Sequence, residues 1–269
     1  MASHTERNAS RKAFRKPGGK PSPAGFKPRR DAVSDDWLWG FHPVVAALEN
    51  PNRPAPIRLM ATADRAQTLE KRFGRLPQLE VVEGQAISQA LPQGAVHQGL
   101  ALRILEADSM SVADFEPVRG AVLLMLDQVT DPQNVGAILR SAAAFGAKGV
   151  ILQDRHAPKL TGSLAKAAAG AVDKIPTVRV INLSRALETL SEAGWQTVGL
   201  AGAGEHSLEQ VLDGRPVVLI LGSEGEGLRR LVAEHCDELA KIPMPGGFES
   251  LNVAAAAAVA LYEASRTRA

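Results

Sequence analysis

Three times in its last half, this chain passes from an apolar run, through glycine or polar residues, into a helix-forming run. The segments are Asp131-Pro-Gln-Asn134-Val-Gly136-Ala-Ile-Leu-Arg140-Ser-Ala, then Leu221-Gly222-Ser-Glu224-Gly225-Glu-Gly227, then Ile242-Pro-Met244-Pro-Gly-Gly-Phe-Glu-Ser250-Leu251-Asn252-Val253. A strand that ends in a loop and opens a helix is where α/β proteins build ligand sites. Three such junctions in one domain predict one composite pocket.

The pattern around them is that of alternating strands and helices. Ala121–Asp127 is continuously apolar up to its last residue, as suits a strand buried on both faces. Strands are then predicted at Gly149–Leu152, Thr177–Val180, Thr197–Ala201, Val217–Leu221 and Ala240–Ile242. Helices are predicted at Asn134–Phe145, Thr161–Ala169, Leu183–Ala193, Leu228–His235 and Ser250–Arg266. Such alternation argues a mostly parallel sheet covered on both faces. Upstream, a helical stripe at Val44–Leu48, a strand at Ile57–Ala61, a helix at Arg65–Phe73, a short strand at Leu79–Val82, a helix at Ile87–Leu91 and a strand at Gly99–Leu105 make a smaller α/β unit. Order is expected to start at Trp37, and residues 106–119 read as a linker or short helix.

Composition sets bounds. With 269 residues, 45% hydrophobic and 22% charged, the chain has ample length for a core. No run approaches a transmembrane helix, and the basic N-terminus lacks the apolar stretch of a signal peptide. The single cysteine, Cys236, excludes an intrachain disulfide and fits a reducing cytoplasm. Charge is unevenly spread. Residues 1–30 hold nine Lys/Arg against one acid, Glu6, a net of +8, so the other 239 residues carry −6 of the overall +2. A tail so rich in Pro, Gly and Ser is expected to be disordered over 1–35. It reads as an arm that meets RNA phosphates through Arg11, Lys12, Arg15, Lys16, Arg29 and Arg30, or as a solubilising extension; a transit peptide is the third alternative.

Each junction has its own chemistry. Arg140 is the only charged residue between Asp131 and Lys148, on a helix of small and apolar residues. Such a guanidinium either snorkels to solvent or serves an anion. Asn134 at the strand-to-helix turn is a good N-cap, and Gly136 permits close backbone approach. The loop Gly222–Gly227 has neither the lysine of a phosphate-binding P-loop nor the dinucleotide GxGxxG spacing. Pro243, Pro245, Gly246 and Gly247 enforce a non-helical excursion before Ser250, which looks like an N-cap. The histidines show no metal-ligand spacing, and no metal is assigned.

Together the three segments resemble the motifs of the SpoU (TrmH) family of RNA ribose 2′-O-methyltransferases, in the SPOUT superfamily, over roughly residues 120–266. Trp39-Gly40-Phe-His42-Pro-Val-Val-Ala-Ala-Leu48 and His97-Gln98-Gly99-Leu resemble the ends of the L30e-like substrate-binding domain fused to many such enzymes. The resemblance implies a disordered tail (1–35), an L30e-like RNA-binding domain (36–105), a linker (106–119) and a catalytic domain (120–269) whose C-terminal loop threads a trefoil knot. It implies S-adenosylmethionine as cofactor, held by Leu200, Ala201, Gly202, Leu221, Gly222, Glu224, Gly225, Ile242, Met244, Ser250 and Leu251, with Gly204 completing the pocket. By the same resemblance Asn134, Arg140, Glu224, Ser250 and Asn252 serve catalysis. His42 and His97, in the smaller domain, either touch RNA or serve packing. Many relatives have Ser or Thr where this chain has Ala254, so a hydroxyl contact there is absent or comes from Ser250.

The implied reaction is methyl transfer to a ribose 2′-hydroxyl, most similar to the bacterial enzymes that act on a guanosine of 23S ribosomal RNA, free or in a ribosome assembly intermediate. The implied assembly is a cytoplasmic homodimer joined through the knotted domain, with no membrane partner. The competing readings are a transfer RNA methyltransferase of the same family, a noncatalytic RNA-binding or ribosome-assembly protein, and a Rossmann-type nucleotide enzyme.

Overall fold

A computed structural model of the chain describes residues 36–105 and 110–266. The basic segment 1–35, with the six cations expected to meet RNA, lies outside the described residues. So does part of the expected linker.

The first elements are β1 (Trp37–Trp39), α1 (Phe41–Glu49), β2 (Arg58–Ala61), α2 (Ala63–Phe73), β3 (Leu79–Val81), α3 (Gly84–Ala90) and β4 (Leu100–Arg103). Their strands form one sheet in the order β1-β4-β2-β3. Its register pairs Trp37 with Arg103 and Trp39 with Ala101. Strand β1 is absent from the sequence reading, because three residues are too few to display a period of two. Helix α2 stops at Gly74, whose φ of +73 breaks the helix as expected.

After a 3-10 turn at Val112–Asp114 come β5 (Val122–Leu126), α4 (Pro132–Ala144), β6 (Gly149–Gln153), α5 (Gly162–Ala168), β7 (Thr177–Val180), α6 (Leu183–Glu192) and β8 (Gln196–Leu200). Then follow β9 (His206–Ser207), α7 (Leu208–Val211), β10 (Val217–Leu221), α8 (Arg230–Glu234), β11 (Glu238–Lys241) and α9 (Val253–Arg266). The seven strands make a wholly parallel sheet in the order β7-β6-β5-β10-β8-β11-β9. The chain walks outward from β5 through β6 to β7, then crosses back to lay down β8. Later it inserts β10 between β5 and β8, and β11 between β8 and β9. The direction of travel thus reverses between β5 and β10, and ligand crevices of such sheets lie beyond the carboxyl ends of the strands.

Burial follows strand alternation. Val122, Leu124 and Leu126 face one core with Val135, Ile138 and Leu139 of α4 and Ala257 and Leu261 of α9. Leu123 and Met125 face the other, with Leu187 and Leu190 of α6 and Val232 of α8. Each such fully buried aliphatic contributes roughly 1.5–3 kcal/mol, so β5 anchors both layers. Gly136 explains how α4 and α5 pack so closely. A Cβ there would lie 2.6 Å from the Leu164 carbonyl oxygen and 2.6 Å from Ala167 Cβ. Glycine inside a helix costs about 1 kcal/mol relative to alanine, and the contact it permits offsets that. The close approach expected at Gly136 is therefore to a neighbouring helix.

All described residues belong to one compact unit. The two sheets share packing and polar ties: Ala165 of α5 lies in the core of the smaller sheet. The Asp173 carboxylate, 2% exposed, accepts from Arg53 Nε at 2.5 Å and Asn50 Nδ2 at 3.2 Å.

Candidate functional site

The crevice is a cleft of about 540 Å³ at the carboxyl ends of β8, β10 and β11. Its size lies within the roughly 300–1,000 Å³ of small-molecule sites. Leu200 ends β8 and Ala201 and Gly202 follow it, Leu221 ends β10 and the loop Gly222–Leu228 follows it, and Ile242, Met244, Ser250 and Leu251 follow β11. The eleven residues expected to hold the cofactor line this one cleft; Gly204, expected to complete it, instead packs against the backbone of Leu239 and Ala240 in β11. Ala203, Ser223, Glu226, Gly227, Glu249 and Ala256 line it as well, beyond those expected.

The loop after β10 is built by a close approach. A Cβ on Gly222 would fall 2.1 Å from the Gly227 carbonyl carbon, so no other residue fits. The loop doubles back there, with Ser223 N donating to Gly227 O at 3.1 Å and Gly227 N to Ser223 O at 3.0 Å. Its far end is tied down by Asp127, at the end of β5 and fully buried. The two Asp127 oxygens accept from Arg229 N at 2.9 Å and Arg229 Nε at 2.7 Å. Sequence reasoning gave Asp127 no role. The available signal was a lone carboxylate closing an apolar strand, since buried charge needs a partner. Tethering Arg229 also explains why α8 starts at Arg230 and not at Leu228.

At one end of the cleft three polar side chains from the three junctions meet. Glu224 Oε1 accepts from Asn252 Nδ2 at 2.7 Å, from Asn134 Nδ2 at 3.1 Å and from Val253 N at 3.3 Å. Asn252 Nδ2 also donates to Asn134 Oδ1 at 3.0 Å. Two expected caps are corrected here. Asn134 is not the N-cap of α4: Asp131 is, its Oδ1 accepting from Gln133 N at 2.7 Å and Asn134 N at 2.9 Å. The Asn134 side chain is thereby left for the cluster. Nor is Ser250 the cap of α9, which starts at Val253 and not at Leu251. Asn252 Oδ1 accepts from Ala254 N at 3.0 Å and Ala255 N at 3.3 Å, while exposed Ser250 lines the cleft.

Arg140 lies apart from this cluster. It is exposed and has no hydrogen-bond or ion-pair partner among the described residues. It sits six residues beyond Asn134 on α4, about 9 Å along the helix axis and on a different face. His42 and His97 belong to the smaller sheet's unit. His42 is exposed, whereas His97 spends Nδ1 on Gly99 N at 3.1 Å and Nε2 on Ser88 Oγ at 3.1 Å. Cys236 follows α8; burial pushes its thiol up to about 12, helped by Asp237 and Asp127, so it is no nucleophile.

Charge decides what the cleft prefers. Glu224, Glu226 and Glu249 line it, and no Lys or Arg does among the described residues. That lining disfavours the pyrophosphate of a dinucleotide and suits a cationic ligand with an apolar end. Leu200, Leu221, Ile242, Met244 and Leu251 supply apolar walls. S-adenosylmethionine, with its sulfonium and ammonium charges and its adenine, fits this set of residues.

Comparison with known proteins agrees. The model of the SpoU rRNA Methylase family matches residues 121–262. The 23S rRNA (guanosine-2'-O-)-methyltransferase RlmB of Photobacterium profundum is 38% identical over 247 residues, covering 88% of this chain and 99% of that protein. An AdoMet-bound rRNA methyltransferase from Sinorhizobium meliloti superposes with a TM-score of 0.72 at 29% identity, over 86% of each chain. The SpoU methyltransferase AviRb from Streptomyces viridochromogenes, in complex with AdoMet, gives 0.73 at 26% identity, over 86% of this chain and 89% of its own.

Proposed function

The chain belongs to the SpoU rRNA methylase family, and from that premise we propose that it methylates a ribose 2′-hydroxyl of RNA, a guanosine of 23S ribosomal RNA, from S-adenosylmethionine. The observation that carries this reading is the acid-lined cleft opening onto the Asn134–Glu224–Asn252 cluster. When bound, the cofactor supplies an electrophilic methyl group on a sulfonium.

The protein's own residues then have distinct tasks. The Gly222–Gly227 loop presents backbone to the cofactor, and the apolar walls take its adenine. Asn134 and Asn252, oriented by Glu224, hold the target nucleotide so that its 2′-oxygen faces the methyl group, with Ser250 beside them. Arg140, exposed and out of reach of its own chain's cluster, serves the site of the second copy: it binds the adjoining phosphate and stabilises the negative charge that develops on the oxygen as its proton passes to a phosphate oxygen or water. The rate then comes from positioning and charge, without a covalent enzyme intermediate.

The active form in this reading is a cytoplasmic homodimer joined through a knotted domain. Val259, 43% exposed, and Tyr262, 54% exposed, support it: they leave an apolar stripe uncovered on α9, beside the helix that carries Arg140. The insertion of β10 and β11 between strands already laid down supports a threaded C-terminus. Residues 36–105 form the RNA-selecting, L30e-like unit, and the +8 segment 1–30 adds phosphate contacts.

Incubation with tritiated S-adenosylmethionine and, separately, unmodified 23S rRNA, 16S rRNA and transfer RNA tests the reading. Label on one ribose of 23S rRNA is expected. Label on transfer RNA would move the substrate to another branch of the family. Failure to bind the cofactor would leave a noncatalytic RNA-binding protein.

A further inference from the structure

Where the two sheets meet, one glutamine gathers two cations. Gln98 Oε1 accepts from Lys166 Nζ at 2.8 Å and from Phe41 N at 3.2 Å, while its backbone carbonyl accepts from Arg65 Nε at 3.2 Å. The Arg65 guanidinium lies over the Phe41 ring, 5.4 Å from its centroid, and His42 meets the same ring edge-on at 5.7 Å. Gln98 holds this geometry at φ +54, a left-handed conformation that costs a non-glycine residue roughly 1–2 kcal/mol.

The cations lack proportionate counter-charge. Lys166 has no carboxylate partner among the described residues, and burial pushes its ammonium pKa down. Among the described residues the one carboxylate near Arg65 is Asp64 at 3.8 Å, and it already accepts from the Thr62 hydroxyl at 2.6 Å. Residues 31–269 carry a net −6, so cations gathered without matching acids stand against their background. A cation partly withdrawn from water and left unpaired is unfavourable, and an arriving anion offsets that cost.

The location relates this cluster to the cleft. Lys166 sits on α5 one residue before Ala167, whose Cβ lies against Gly136 of α4, two residues beyond Asn134. We propose that Lys166 and Arg65, gathered by Gln98 and flanked by His42, form a subsite for a backbone phosphate of the RNA strand whose ribose enters the cleft. The subsite spans both sheets, so a strand held there fixes the smaller unit against the catalytic one. The inference rests on RNA being the substrate.

The test uses the full chain with Lys166→Gln and Arg65→Gln, which remove charge while keeping a donor for Gln98. Arg215→Gln, just before the amino end of β10 and paired with Asp213, is the control. RNA affinity is measured as a function of salt, with KM for RNA, kcat and S-adenosylmethionine affinity alongside. Each charge removed is expected to lower the salt slope by about 0.7 and raise KM for RNA about three- to tenfold at low salt. Cofactor affinity and kcat stay unchanged, and the control matches the parent. Lys166→Arg restores the slope. If the parent methylates RNA and both variants keep its slope and KM, the subsite is overturned and the enzyme stands. If the parent neither binds nor methylates RNA, both readings fall.

Discussion

Asn252 Nδ2 donates to Glu224 Oε1 across 2.7 Å, although the residues are 28 positions apart and belong to different loops. The same oxygen accepts from Asn134, 90 positions before Glu224. One carboxylate oxygen therefore sets the orientation of both amides.

Replacing Glu224 tests that dependence. Glu224→Ala removes the acceptor shared by three donors. Misplacement of the reacting groups by about 1 Å costs on the order of 10²-fold, and kcat/KM should fall by about that factor. Glu224→Gln retains one carbonyl oxygen and should recover much of the loss. Glu224 is exposed, so the thermal midpoint should barely move. Equal activity of the Ala variant and the parent would remove Glu224 from the mechanism.

Arg140 makes a different prediction, because it does not reach the cluster of its own chain. Arg140→Ala should retain S-adenosylmethionine binding while kcat drops by about 10²–10³-fold, the typical effect of losing one charge-stabilising group. If Arg140 serves the cleft of a second copy, mixing Arg140→Ala with Glu224→Ala should restore part of the activity through hybrid dimers. A mixture as inactive as its components would make each site self-contained.

The tie between the two sheets is a stability element. Asp173 is 2% exposed and Arg53 10% exposed at the side chain. Asp173→Ala would leave a nearly buried guanidinium unpaired, which costs about 3–5 kcal/mol. Equilibrium urea unfolding should report an unfolding free energy lower by that amount. A change below about 1 kcal/mol, as for a surface pair, would contradict the burial argument.

Cys236 predicts an alkaline effect. Burial raises its thiol pKa from the ordinary 9.0 to about 12. Above pH 9 the unfolded chain releases this proton while the folded one keeps it. The thiol therefore lowers stability as pH rises from 9 towards 12, by up to about 1.4 kcal/mol per pH unit. Cys236→Ala should flatten the alkaline limb of a stability–pH curve. Native protein at pH 8 should also resist thiol reagents that label it in urea, and rapid native labelling would refute the assignment.

Much of this architecture was legible before any coordinates. Strands β7 and β10 match their predicted bounds residue for residue, and the cofactor residues proposed by resemblance converge on one cleft. Strands β1 and β9 and helix α7 were missed because two to four residues cannot display a period. The caps went astray for a similar reason. Asp131 and Asn134 are both good caps by type, as are Ser250 and Asn252, and only the hydrogen bonds distinguish them.

The sequence by itself determined what depends on near neighbours: the apolar periods that make strands and helices, the glycines that turn the chain, and the three motifs that carry the family. The tertiary structure alone decided what depends on distant partners. It brought Asn134, Glu224 and Asn252 to one point, gave buried Asp127 its partner in Arg229, and left Arg140 facing outward. Those outcomes follow from the order in which parallel strands are inserted into the sheet, an order set by the summed burial of both faces, which no local stretch of sequence encodes.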